Sequence, residues 1–147
     1  MSTQPMWMDP RPCWHCHWFG YLMAENPHGM CLLPTSNAMA VIPRQGCAFW
    51  RGEPGASDGG QPEPLESGSP ARVAIDRARR RLERIQELAE AEVRRSPLPH
   101  GFWPQVGSTE GTVVLSGGRP DHPADRAALE AKVARLGVNA AVRAGKL

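Results

Sequence analysis

The chain is poor in the groups that build a large core. It has one tyrosine, three phenylalanines and an apolar fraction of 41% over 147 residues, against roughly 45 to 50% in ordinary globular domains. A single extensive core is therefore excluded, and what core there is must be small or divided. No stretch approaches the length of about 18 apolar residues that a spanning helix needs. Met1 to Pro12 has neither a basic n-region nor an apolar h-region, so no secretory leader is expected and the chain reads as soluble and cytoplasmic. Charge of one sign is also scarce: 17 basic residues oppose 15 acidic ones, a net charge of +2, too little to make nucleic acid or an anionic membrane the default partner. The chain has no G-x-S-x-G, no phosphate-binding loop, no H-E-x-x-H and no carboxylate pair framed by apolar sequence. His100 sits among aromatics in Pro99-His100-Gly101-Phe102-Trp103 but has no evident nucleophile to serve. No catalytic residues are assigned, and a non-enzymatic role is expected.

Glycine and proline, by contrast, are abundant, at 15 each. Nine of them fall in the 19 residues GEPGASDGGQPEPLESGSP at 52–70, which also hold four acidic and no basic residues. Too few apolar groups are present there to offset the entropy of ordering the backbone. Because Pro70 suits the first position of a helix, 52–69 is expected to be a flexible linker between a module at 1–51 and an α-rich region at 70–147. The two sides differ: 1–51 contains all four cysteines, all six methionines and four of the five tryptophans.

The cysteines Cys13, Cys16, Cys31 and Cys47 form a C-x2-C pair followed by two single thiols. In a reduced compartment four such thiols point to metal ligation rather than disulfides. A C-x2-C turn lets two thiolates converge, and four complete a tetrahedral zinc shell or hold the corners of an iron–sulfur cluster. Structural zinc is the commoner solution in small reduced proteins and is the expected cofactor, with a [4Fe-4S] cluster as the alternative. Cys13-Trp14-His15-Cys16-His17 also spells the C-x-x-C-H of c-type haem attachment, but haem would leave Cys31 and Cys47 unexplained. His15, His17 and His28 are spare ligands that four cysteines make unnecessary. Trp7, Trp14, Trp18 and Trp50 are expected to pack a miniature core that a metal staples, because modules of this size bury too little surface to stand alone.

The segments CWHCHWF, CLLP and GCAFW, spanning Cys13 to Trp50, resemble the cluster-binding segment of high-potential iron–sulfur proteins. The resemblance implies that Cys13, Cys16, Cys31 and Cys47 hold a [4Fe-4S] cluster, with Phe19, Leu33 and Trp50 in the apolar shell that restricts water. The same spacing is also similar to that of short four-cysteine bacterial and phage proteins regarded as zinc-binding.

Beyond the linker, Ser69 is a good N-cap, and Ser96-Pro97-Leu98-Pro99 supplies a stop, so a helix is expected over 70–95. Ala71, Ile75, Ala78, Leu82, Ile85 and Ala89 alternate in steps of four and three, the seam of a short coiled coil. Such a stripe, about 39 Å long at 1.5 Å per residue, needs a partner. Ile75, Ala78, Leu82, Ile85 and Ala89 are therefore expected to form an interface with a protein partner, a second copy or the C-terminal helix. That second helix is expected over 123–136, with Asp125 in its first turn, Leu129, Val133 and Leu136 on its apolar face, Ala140 a further candidate for that face, and Gly137 as C-cap. Between the helices, Thr112 to Leu115 reads as a strand whose partner the sequence does not identify. Arg77, Arg80, Arg81 and Arg84 could contact phosphates in a zinc-dependent nucleic-acid-binding protein. The favoured alternative is a solvated face in which Glu83 pairs with Arg79 or Arg80, and Asp76 with Arg80. The fold class expected is a small irregular four-cysteine metal-stabilised module followed by an α-rich half with two amphipathic helices and minor β structure.

Overall fold

A computed structural model describes residues 11–40, 43–46, 50–52, 60–117 and 126–146. They form a mixed α/β protein with two helices and two small antiparallel sheets. The chain divides into two compact units, Met1–Asp76 and Arg77–Leu147.

In the first unit, strands β1 (Phe19–Leu22), β2 (Gly29–Cys31) and β3 (Met39–Ala40) pair in that order. The β1–β2 register places Phe19 opposite Cys31 and Tyr21 opposite Met30, with an irregularity between Phe19 and Tyr21. Trp18, Tyr21, Leu22, Met23, Leu32 and Leu33 are buried and supply the core. Part of the expected linker joins this unit. Residues 53–59 lie outside those described, but the Leu65 N–H donates to the Leu22 carbonyl at 2.8 Å, and the Ala24 N–H donates to the Leu65 carbonyl at 3.0 Å. One apolar residue in the acidic, Pro-rich stretch thus docks beside β1 through backbone bonds that composition does not reveal.

Helix α1 (Pro70–Arg95) has the bounds expected of it. Ser69 Oγ accepts the Arg72 N–H at 3.4 Å, the N-terminal cap. The only tyrosine in the chain ties the first turns of α1 to β1: Tyr21 Oη donates to Asp76 Oδ1 at 2.7 Å and accepts from Arg72 Nε at 3.2 Å. Arg72 in turn forms a bidentate pair with Glu25, at 2.7 and 2.6 Å. The Arg72 guanidinium holds the Glu25 carboxyl down at about 2. Burial, followed by the Asp76 hydrogen bond, pushes the Tyr21 phenol above its ordinary value.

In the second unit, β4 (Phe102–Val106) and β5 (Val113–Gly117) form a hairpin in which Val106 faces Val113 and Phe102 faces Gly117. β5 is the strand that the apolar run at 112–115 predicts, and β4 is its unidentified partner. Phe102, Pro104 and Val106 alternate on the buried face with Val113 and Leu115. Gly111 closes the turn at φ 93°, a conformation that favours glycine, and a Cβ there would lie 2.7 Å from Ile85 Cδ1.

Helix α2 (Arg126–Lys146) corrects the expectation of a helix ending at Leu136 with Gly137 as its cap. Positions 123–125 lie outside the described residues. Gly137 is buried inside the helix, where a Cβ would sit 2.8 Å from Val113 Cβ. The glycine allows close approach to β5 rather than termination. α2 packs on β5, with Val133, Gly137 and Ala140 buried, and its Arg143 pairs with Glu92 of α1 at 3.2 Å.

Candidate metal centre

Cys13 opens a single 3-10 turn, Cys13–His15, that ends on Cys16, whose N–H donates to the Cys13 carbonyl at 2.9 Å. Both members of the C-x2-C pair therefore belong to one turn. Its backbone is fixed from later in the chain: the Cys13 N–H donates to the Pro43 carbonyl at 2.6 Å, and the His17 N–H to the Arg51 carbonyl at 2.6 Å. Trp50 Nε1 donates to the Pro12 carbonyl at 2.9 Å, and the Arg11 guanidinium lies 5.9 Å from the Trp50 ring centre. Segments 43–46 and 50–52, which flank Cys47 in sequence, both dock on the turn that carries Cys13 and Cys16. Cys47 itself lies outside the described residues.

Two sulfurs receive hydrogen bonds in matching local geometry. Cys16 Sγ accepts the N–H of Trp18, two residues on, at 3.5 Å, and that of Arg51 at 3.3 Å. Cys31 Sγ accepts the N–H of Leu33, again two residues on, at 3.4 Å, and the hydroxyl of Ser36 at 3.2 Å. Donors aimed at sulfur complement a thiolate, the form in which cysteine ligates metals, and orient it as a ligand. The donor chemistry therefore fits a thiolate-bound metal. Among the described residues, however, no group of three or more His, Cys, Asp or Glu side chains is gathered closely enough to hold one.

The residues assigned to an apolar shell have distinct places. Leu33 is buried and contributes its N–H to Cys31, Phe19 is half-buried opposite Cys31, and Trp50 is half-buried against Pro12. His15 and His17 pack edge-on to Trp14 and Trp18, with ring centres 6.3 and 5.0 Å apart. His28 keeps its Nδ1 buried without a hydrogen-bond partner among the described residues. Ser36 and Arg51 are contributors that the cysteine pattern does not reveal. Arg51 acts through its backbone, which carries no sequence signal, whereas a serine five positions after Cys31 is visible but not distinctive.

Of the expected interface, Leu82, Ile85 and Ala89 are buried within the chain, at 1%, 0% and 0% exposure. The Gly111 turn meets Leu82 and Ile85, and Gln86 binds β4 through Pro104 and Val106. The hairpin thus meets at Leu82, Ile85 and Gln86 the stripe that reads in sequence as an open seam. Ile75 is half-buried beside Gly20 in the first unit, and Ala78 is exposed. Arg77, Arg80, Arg81 and Arg84 are all exposed, whereas Arg79 is buried and pairs with Glu83 at 2.7 Å. No helix among the described residues is long and apolar enough to cross a membrane. Comparison of the chain with protein-family models, curated proteins and solved structures yields no match.

Proposed function

We propose that the chain is a small non-enzymatic metal-binding interaction protein in which Cys13, Cys16, Cys31 and Cys47 hold one zinc ion as thiolates. The observation that carries this reading is the paired N–H to sulfur geometry at Cys16 and Cys31, where the donor comes in each case from the residue two positions on. The docking of both segments that flank Cys47 onto the Cys13–Cys16 turn supports Cys47 as the fourth ligand. A staple is also what this unit needs. Strands of four, three and two residues bury too little to be stable by themselves, whereas structural zinc contributes about 10 to 16 kcal/mol of apparent binding free energy in small zinc-finger peptides. Zinc brings no redox chemistry, and with four thiolates it leaves no open coordination position, so its role is to hold a surface in shape.

The test is elemental analysis and native mass spectrometry of protein purified without oxygen. One zinc per chain is expected, lost when Cys16 or Cys31 is replaced by serine. Iron with acid-labile sulfide would assign the same thiolates to a [4Fe-4S] cluster, and neither metal would overturn the site. Because the ligands must stay reduced, the proposed setting is a reducing compartment such as the cytoplasm. With Leu82, Ile85 and Ala89 buried within the chain, the surface of α1 available to a partner is its opposite, arginine-bearing side.

A further inference from the structure

We infer that the solvent-facing ridge of α1 formed by Arg77, Arg80, Arg81 and Arg84 binds the phosphate backbone of nucleic acid without reading sequence. At about 100° per residue, these four positions share an arc of about 100°, and they cover about 10 Å along the helix axis. Leu82, Ile85, Gln86, Ala89 and Val93, all buried, occupy the opposite side, so the guanidinium groups project from a ridge whose base is fixed. Arg79, the fifth arginine of the run, falls on the buried side and is not part of it.

The structure removes the neutralising pairs that the sequence suggests for this ridge. Glu83 is taken by Arg79 at 2.7 Å, and Asp76 accepts the Tyr21 hydroxyl at 2.7 Å. Among the described residues, Arg77 and Arg80 make no ion pair. Glu90 accepts from Trp103 Nε1 at 3.0 Å, and Glu92 pairs with Arg95 and Arg143 at 3.3 and 3.2 Å. Arg81 spends one donor on the Glu110 carbonyl at 3.5 Å. Arg84 pairs with Glu87 at 3.2 Å, but both side chains are well exposed, at 46% and 65%, and such a pair is readily exchanged for another anion.

Charge complementarity commits the ridge to a polyanion, and the geometry selects among polyanions. A membrane-surface helix must bury an apolar face in lipid, but Leu82, Ile85, Ala89 and Val93 of α1 are already buried within the chain. The ridge itself offers guanidinium forks, which match phosphate oxygens bidentately. The contacts inferred for these four guanidinium groups are with backbone phosphates, which position a protein on nucleic acid and carry no base readout.

The inference is independent of the metal and is tested on the full, metal-loaded chain. Binding of a fluorescent random-sequence DNA duplex is measured by anisotropy against salt. Four phosphate contacts predict that log K falls with log salt at a slope of about −3 to −4, and that the dissociation constant lies at about 10⁻⁴ to 10⁻⁶ M near physiological salt. Replacing all four arginines by glutamine should weaken low-salt binding at least tenfold and flatten the slope towards zero. The fold should be unchanged, because all four side chains are exposed. The four-lysine variant should keep the slope. The triple variant R126Q/R135Q/R143Q, which lowers net charge elsewhere, should bind as the parent does. An unchanged slope in the four-glutamine variant, equal loss in the α2 variant, preference for anionic phospholipid vesicles over duplex, or strong discrimination between duplex sequences would each overturn the inference.

Discussion

Gln86 clasps Val106 with a side-chain amide that takes the place of a neighbouring strand. Its Oε1 accepts the Val106 N–H at 2.8 Å, while its Nε2 donates to the Pro104 carbonyl at 2.8 Å. These are the outward backbone groups of β4, and a helix residue 4% exposed satisfies both. An edge that would otherwise be buried without partners is closed from α1. The arrangement also explains how β4 tolerates Pro104. The missing N–H belongs to the parity that points away from β5, so the ladder loses no bond.

Replacing Gln86 by leucine keeps the bulk but strands one buried N–H and one buried C=O. With about 1 to 3 kcal/mol for each unsatisfied group, the expected loss is about 2 to 6 kcal/mol in urea denaturation. A change below about 0.5 kcal/mol, the ordinary range for surface substitutions, would show that water replaces the clasp.

Two glycines of α2 should respond to alanine with opposite signs. Helix propensity alone favours alanine by up to about 1 kcal/mol at both. At Gly145 nothing lies within 4 Å of the new Cβ, so Gly145→Ala should stabilise, by less than the full amount near the helix end. At Gly137 the Cβ would meet Val113 Cβ at 2.8 Å, and overpacking of about 1 to 3 kcal/mol should outweigh propensity. Thermal melts of the two variants on opposite sides of the parent are the expected outcome.

The Tyr21–Arg72–Glu25 cluster predicts a pH dependence of defined sign. The folded-state Glu25 carboxyl is held at about 2, below its ordinary value of 4.5. The unfolded chain therefore binds the extra proton first as pH falls, and the stabilisation present above about 4.5 is lost progressively towards 2. Melting temperature should fall less steeply across this window for Glu25→Gln than for the parent. A parallel pair of curves would show that Arg72 does not hold Glu25 in solution.

Tyr21 reports on itself, because no other tyrosine is present. Its raised phenol should ionise above the ordinary value near 10 while the chain is folded, and return to it in denaturant. By the same linkage its contribution is present below about pH 10 and fades as pH rises through the folded value. Ultraviolet titration with and without urea checks this, and coincident curves would place the phenol in solvent.

The thiolate reading makes Ser36 a supporting residue whose loss spares the backbone donor from Leu33. Ser36→Ala should weaken zinc affinity by about 10- to 100-fold, the usual cost of removing a partner that orients a ligand. Competition with a chromophoric chelator measures it. Unchanged affinity would place Cys31 outside the metal shell.

What could be read from the sequence was local in origin. The bounds of α1 follow from Ser69, Pro70 and the Ser96-Pro97 stop, because capping and proline geometry act over one turn. The existence of β5 follows from a short apolar run before a turn, and the cysteine spacing alone raised the metal site. The tertiary structure decided what lies against what. The seam of Leu82, Ile85 and Ala89 has the period of a coiled coil, but period does not say that the Gly111 turn of a hairpin meets Leu82 and Ile85. Gly137 looks like a cap because glycine favours both helix ends and close contacts, and only the position of Val113 tells them apart. The five arginines between 77 and 84 look alike in sequence. Burial of Arg79 and its pairing with half-exposed Glu83, and the engagement of Asp76 by Tyr21 from 55 positions away, separate the one that is buried from the four that face water.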